Sequence, residues 1–147
     1  MAEENSRLMN TRTVMFASAV RAAATNGGVF ESVAVTNHNA KGGIFYLDIT
    51  AEVGTATLNI KMQGQDPVSK DWYDLADDVL GTGAYVFPTD IAAVTTGPTV
   101  LTVYPGLSSE ATKVCNGILP QVFRAHATVA GSSSPSFTFS LAVELID

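Results

Sequence analysis

Cysteine is nearly absent from this sequence, and charge of either sign is sparse. The single cysteine, Cys115, excludes an internal disulfide and any cysteine-rich metal site, and we expect it to be a small buried side chain. Charged residues make up 15% of the 147 residues, against about 25% in an ordinary soluble protein. So few charges repel other proteins only weakly, which suits a chain that stays in contact with neighbours.

Clustered basic residues and long apolar runs are also missing. The chain has 8 Lys and Arg against 14 Asp and Glu, and the basic residues are scattered singly. Binding to nucleic acid requires them in clusters, so we expect neither nucleic acid nor a membrane as a partner. No apolar run reaches the ~18 residues of a membrane span. The acidic start, with Arg21 interrupting the first apolar stretch, is unlike a secretory signal and predicts a protein that stays in the cytoplasm where it is made.

The dominant pattern is the alternation of apolar and polar residues, which is typical of strands in a sheet with one wet face. Four segments carry it: Ile44–Val53, Thr57–Gln63, Gln121–Ala130 and Phe137–Leu145. Gly54-Thr55 separates the first two and is short enough for a hairpin turn, and Gly131–Pro135 separates the last two as a loop. We therefore predict two hairpins, with Lys61 and His126 on outward-facing positions.

The remaining segments are weaker and are separated by glycine and proline. Five of them are strand candidates: Thr13–Val20, Ser32–Asn37, Trp72–Leu75, Ala84–Phe87 and Thr99–Tyr104. Ala17–Ala24 and Ser108–Asn116 also suit short helices, but no period of 3.6 is sustained. The sequence predicts an all-β protein with a single β-sandwich, jelly-roll-like or immunoglobulin-like, of about eight strands over residues 13–147. A flexible N-terminal arm of residues 1–12 precedes it.

Few polar residues are arranged for catalysis or for holding a metal ion. The aspartates between Asp66 and Asp78 lack the spacing of a calcium loop. His38 and His126 have no acidic or histidine partner at ligand spacing. We therefore predict that the protein is not an enzyme and has no metal site and no cofactor.

The order of several segments resembles that of a known group of proteins. The segments are Thr57–Ser69, Trp72–Leu75, Leu101–Gly106, Ile118–Arg124 and Phe137–Leu145. Over residues 13–146 the chain is similar to small structural proteins of tailed bacteriophages, the head decoration or cement proteins. The resemblance implies a β-sandwich, commonly a homotrimer, that binds the outer surface of the capsid. Its partner would be the major capsid protein, and it would be made in the host cytoplasm and end on the exterior of the virion.

Three regions are expected to supply the contacts: the arm Met1–Arg12, the loop Asp66–Asp78 and the segment Leu107–Pro120. The candidate contact residues are Arg7, Leu8, Met9, Arg12, Trp72, Tyr73, Leu107 and Arg124. Aromatic residues and arginine are enriched where interfaces bind most strongly. Two alternatives remain open. One is a phage tail or baseplate accessory protein, and the other is a carbohydrate-binding module that stacks sugars on exposed aromatic rings.

Overall fold

The computed structural model describes residues 12–75, 98–110 and 113–147, and this part of the chain is built from strands. Its eight strands are β1 Arg12–Ala22, β2 Val29–Glu31, β3 Val35–Thr36, β4 Gly42–Gln65, β5 Trp72–Asp74, β6 Thr99–Val103, β7 Val114–Cys115 and β8 Val122–Ile146. A short 3-10 turn, Asn26–Gly28, precedes β2. The all-β prediction is confirmed. The strand candidate Ala84–Phe87 and most of the predicted arm lie outside the described residues.

Strands β4 and β8 are much longer than the others and pair antiparallel along nearly their whole length. The ladder runs from Gly42 opposite Ile146 to Gly64 opposite Phe123. The two predicted hairpins are therefore wrong, because the two segments of each one pair with the other long strand and not with each other. Gly54 and the segment 131–135 instead lie across from each other in the middle of the ladder. Their positive backbone angles, φ 77° at Gly54 and 129° at Gly131, bend the two strands together.

The bend folds the long ladder onto itself. Phe45 pairs with Val143 near one end of the ladder, and Phe123 pairs with Gly64 at the other end. On a straight strand these two ends would lie about 60 Å apart. The rings of Phe45 and Phe123 nevertheless meet edge to face, with 5.9 Å between their centroids. The two halves of the ladder are thus the two layers of a sandwich, as predicted from the alternation.

Each layer has β4 and β8 at its centre. In the first layer the strand order is β1-β8-β4-β6-β7, and β6 and β7 are parallel. In the second layer β2 and β3 pair with the first half of β8, and β5 pairs with the end of β4. We call these the first and the second layer below. The sheet is continuous through the bend, so the two layers form one hydrogen-bonded unit.

The core lies between the layers and is filled mainly by the inward side chains of β4, β6 and β8. The largest of those that are completely or almost completely buried are Phe45, Phe123, Phe137, Phe139, Leu47, Leu58, Ile60, Met62, Leu101, Leu141 and Val103. Burial follows odd residue numbers before the bend of β4 and even numbers after it. A register shift between Ile49 and Ala51 and another between Val53 and Thr55 accompany this change. Cys115 is buried in the same core, as expected.

Several weaker expectations are corrected by the structure. Ser32–Asn37 contains only the two-residue strand β3, and its end is fixed by Asn37, whose buried side chain bonds the backbone of Ala40 and Leu119. The helix considered for Ala17–Ala24 is absent because β1 continues to Ala22. The described residues near Ser108–Asn116 form a turn and β7 instead of a helix. No helix in the described part of the chain could cross a membrane.

Candidate functional site

A network of polar side chains covers the outer face of the second layer. It contains Glu31 on β2, Lys61 and Gln63 on β4, Asp74 on β5, and Arg124 and His126 on β8. The register explains why they meet: His126 lies opposite both Glu31 and Lys61, and Gln63 lies opposite both Arg124 and Asp74. Side chains directly opposite on one face of a sheet are close enough to interact. We call these six residues the polar network.

Five of the six side chains form one unbroken chain of hydrogen bonds. Lys61 Nζ donates to Asp74 Oδ2 at 2.9 Å, and Gln63 Nε2 donates to Asp74 Oδ1 at 3.1 Å. The oxygen of Gln63 accepts from Arg124 Nε at 3.0 Å, and Arg124 Nη1 donates to Glu31 Oε2 at 3.0 Å. Two cations and two carboxylates thus neutralise each other across four strands. Such a network holds its side chains in place more firmly than isolated surface pairs do.

Arg124 is the centre of this network and also contacts the one tryptophan. Its guanidinium lies 4.1 Å from the centre of the Trp72 ring, a cation–π contact. The Arg124 side chain is only 15% exposed. The structure therefore brings two predicted contact residues together, but it occupies one face of Trp72 with an arginine. A sugar would have to stack on the remaining face, so this arrangement does not favour the carbohydrate-binding alternative.

His126 belongs to the polar network but lies outside its chain of hydrogen bonds. Its Nδ1 is buried, has no hydrogen-bond partner among the described residues and is 3.8 Å from Glu31 Oε1, too far for a hydrogen bond. Burial lowers the pKa of His126, and the nearby charge of Lys61 lowers it further, while Glu31 opposes both. The folded protein therefore favours the neutral imidazole. His126 faces outward as predicted, but its neighbours cover most of it.

Two of the predicted loop aspartates have structural partners. The hydrogen bond from Lys61 holds the pKa of Asp74 below its usual range. Asp66 Oδ1 accepts hydrogen bonds from the backbone N–H groups of Ser69 and Val68. Both bonds lower the pKa of Asp66, and the bond from Ser69 has the larger effect. Asp66 thereby fixes the turn between β4 and β5. Among the described residues, no group of three or more His, Cys, Asp or Glu is placed to hold a metal ion.

The outer face of the first layer is of a different kind. Its central strand β8 presents small side chains there: Ser136, Thr138, Ser140 and Ala142. Beside them, edge strand β1 exposes Val14 to 60% and Val20 to 68%. The ion pair on this face joins Arg12 Nε to Glu144 Oε2 over 3.6 Å, and Arg12 is 80% exposed. On β8 and β1 this face therefore presents mainly small or apolar side chains, and β4 adds Ile44, Tyr46 and Asp48 to it.

The other candidate contact residues are distributed around the molecule. Arg12 is the first residue of β1 and pairs with Glu144 in the first layer. Tyr73 is 46% exposed and packs on Gly64, where a Cβ atom would be 2.6 Å from the tyrosine ring. Leu107 is 38% exposed in the loop after β6. Arg7, Leu8 and Met9 lie outside the described residues.

Sequence reasoning found Trp72 and Arg124 but missed most of their partners. The sequence did place Lys61 and His126 on outward-facing positions, and this was the one available indication of a polar cluster on that face. The pairing of the Thr57–Gln63 segment with the Gln121–Ala130 segment was not predicted, because each was assigned to a hairpin of its own. No family model, no curated protein and no solved structure was found to match this chain.

Proposed function

We propose that this protein is a non-enzymatic structural component of a tailed-phage virion that binds the outer surface of the head and reinforces the shell. The resemblance of residues 13–146 to head decoration proteins suggests this role. The observation that carries the proposal furthest is the contrast between the two outer faces. One face satisfies its charges internally, and the other presents small side chains and exposed valines.

The first-layer outer face suits a contact with a second protein. Burying Val14 and Val20 would remove apolar area from water, and the serine, threonine and alanine side chains of β8 allow close approach of another surface. A specific contact needs about 1,600 Å² of total buried surface, which a face of this kind can supply together with residues around it. We assign the major capsid protein as the partner on this face.

A protein that reinforces a shell must itself resist unfolding under load, and the continuous long strands of this fold are suited to that. β4 and β8 run through both layers, so a force applied to one layer is passed to the other along covalent chain. Copies bound at many points of a shell would each resist separation of the capsid subunits beneath them. If the copies are linked as trimers, each contact strengthens the others through effective concentration.

The test is binding of the purified chain to phage heads that lack it, measured by co-sedimentation and located by electron microscopy. Val20→Asp places a charge on the first-layer face and should weaken binding at least about tenfold. Val33→Asp is the matched control, because Val33 is 58% exposed between β2 and β3, outside the first layer and outside the three regions expected to supply contacts. If electron microscopy shows the protein on the phage tail instead of the head, the tail-accessory alternative is correct. If the protein binds neither head nor tail, the proposed function is wrong.

A further inference from the structure

A cleft opens at the side of the sandwich, between β1 of the first layer and β2 of the second. Each of these strands pairs with a different half of β8, and β4 occupies the other edge of β8, so β1 and β2 lie on the same side. The cleft has a volume of about 570 Å³, which is within the range of small-molecule sites. It is lined by Phe16, Arg21, Asn26, Val29, Phe30 and Glu31.

Arg21 brings a positive charge to the edge of the core. It lies opposite Phe137 in the ladder between β1 and β8, and Phe137 is completely buried. The Arg21 guanidinium lies 4.6 and 4.4 Å from the ring centres of Phe16 and Phe139. Partial burial lowers the pKa of Arg21 below its ordinary value, because water solvates the charge less well there. An anion beside Arg21 would therefore be stabilised, and would stabilise the arginine in turn.

Backbone carbonyls hold Arg21 in position and leave two of its donors for a ligand. Its Nη1 donates to the carbonyls of Ala19 and Phe139 at 3.1 and 2.9 Å, and its Nη2 donates to the carbonyl of Ala17 at 2.9 Å. A guanidinium has five N–H donors, so the Nε–H and one N–H of Nη2 have no acceptor among the described residues. Arginine binds carboxylates through paired hydrogen bonds, and these two donors are the ones available for that purpose.

No carboxylate in the described part of the chain forms an ion pair with Arg21. Glu31 also lines the cleft, but its Oε2 accepts a hydrogen bond from Arg124 at 3.0 Å, and its Oε1 lies 3.8 Å from Nδ1 of His126. The charge of Glu31 is thus compensated by Arg124 in the polar network. The charge of Arg21 has no such partner, so the cleft favours an anionic ligand at its β1 side.

The remaining wall of the cleft is largely apolar. Val29 is 37% exposed on β2, and Phe30 is partly buried against the core. Asn26, in the turn before β2, is exposed, and its amide forms no hydrogen bond within the described part of the chain. Apolar surface beside a cation and an amide suits a ligand that joins a carboxylate to a hydrophobic group.

We infer that this cleft binds a small organic carboxylate that carries an aromatic or aliphatic group. The carboxylate accepts hydrogen bonds from Arg21 and from the amide of Asn26, and the apolar group covers Val29 and Phe30. The size of the cleft favours a small ligand over a protein surface, because a stable protein interface takes about 20–30 residues from each side. This inference goes beyond the proposed function and does not depend on it.

The experiment titrates 3-phenylpropionate into the full chain and follows the backbone amide signals by nuclear magnetic resonance. The shifts should saturate and should be confined to β1, β2 and the turn between them. The neutral analogue 3-phenylpropionamide has nearly the same shape but no charge, and it should bind at least about tenfold more weakly, because it cannot form charge-assisted hydrogen bonds with Arg21.

Two variants, each with a matched control, assign the binding to the cleft. Arg21→Gln should weaken binding at least about tenfold, whereas Arg12→Gln, which removes an 80% exposed cation from the same strand, should leave it unchanged. Val29→Glu repels the carboxylate while leaving every hydrogen bond of Arg21 in place, so it should also weaken binding. Its control is Val33→Glu, at a side chain 58% exposed outside the lining of the cleft. Circular dichroism checks that each variant is folded.

Three results would overturn the inference: a wild-type chain with no saturable shifts, equal binding of the amide and the carboxylate, or binding that Arg21→Gln or Val29→Glu leaves unchanged. An acidic peptide that binds the cleft when 3-phenylpropionate does not would also overturn it, in favour of a docking site for a protein segment. Because no phage head is present, the result is independent of head binding.

Discussion

The two outer faces of the sandwich share the same two central strands and yet differ in how their charged side chains are paired. In the second layer β4 and β8 carry Lys61, Gln63 and Arg124, whose polar atoms bond one another or their neighbours on β2 and β5. In the first layer the same β8 carries serine, threonine and alanine beside exposed valines. A bent strand can thus serve two surfaces, one with its charges paired and one available for contact.

The two layers should unfold as one unit, because Phe45 of one layer and Phe123 of the other pack against each other. Phe123→Ala should lower the free energy of unfolding by about 3–5 kcal/mol, because it empties a fully buried site between the layers. Chemical denaturation should still show a single transition. The control Ile118→Ala, at a side chain 63% exposed, should change stability by less than about 0.5 kcal/mol. Two separate transitions would mean that the layers fold independently.

The bend that separates the two faces should be the next most sensitive feature. Gly131 has φ 129°, and a Cβ atom there would lie 2.0 Å from the carbonyl oxygen of Thr55. Gly131→Ala should therefore cost about 2–3 kcal/mol through strain and backbone displacement. Gly106→Ala is the matched control, since Gly106 also has a positive φ of 88° but an open space around it, and it should cost about 1 kcal/mol. Equal losses in thermal or chemical unfolding would show that crowding at the bend is unimportant.

The polar network should make an arginine of the second layer more important than one of the first. Arg124→Ala should cost about 2 kcal/mol, because it leaves Glu31 and Gln63 without their donor and uncovers Trp72. Arg12→Ala should cost less than about 0.5 kcal/mol, since its ion pair with Glu144 is long and Arg12 is mostly exposed. Denaturant titration of both variants compares the faces directly. Similar losses would contradict the difference drawn between them.

The smallest expected effect is a pH dependence that arises in the second layer. The pKa of His126 is lower in the folded protein than its ordinary value of 6.5, so the unfolded chain takes up the proton first. Stability should therefore be complete above that pH and decrease as the pH falls through 6.5 toward the lowered pKa. His126→Gln should remove this part of the dependence, measured as unfolding free energy against pH. Asp74 acts in a separate, more acidic range, where protonation breaks its bond to Lys61.

The alternation of side chains was enough to predict the class of fold and most core positions. Phe137, Phe139 and Leu141 read as one buried face in the sequence and are buried in the structure. The pairing of strands was not predictable in the same way. Alternation indicates which side chains of a strand face the core, but it does not indicate which other strand lies next to it in the sheet. Gly54-Thr55 looks like a turn locally, and only its position opposite residues 131–135 shows that it bends a continuous strand.

The candidate sites could not be predicted from the sequence either, because they depend on which strands lie next to each other. The bond between Gln63 and Arg124 joins residues 61 positions apart, and it follows from the β4–β8 register. Arg21 interrupts an apolar stretch in the sequence, but no sequence pattern indicates what its side chain contacts. Its side chain donates to the carbonyls of Ala17 and Ala19 in the part of β1 where the register on β8 shifts, and no sequence pattern marks such a shift.

The position of β8 determines when this chain can fold during its synthesis. Among the described strands it comes last in chain order, so it leaves the ribosome after the others, and it lies at the centre of both layers. Before residue 146 emerges, β1, β2 and β3 lack the strand with which they pair, and β4 lacks its main neighbour. Most strand pairings of the sandwich therefore form only after β8 has been translated. Until then neither layer is complete, and the apolar side chains of the earlier strands stay exposed.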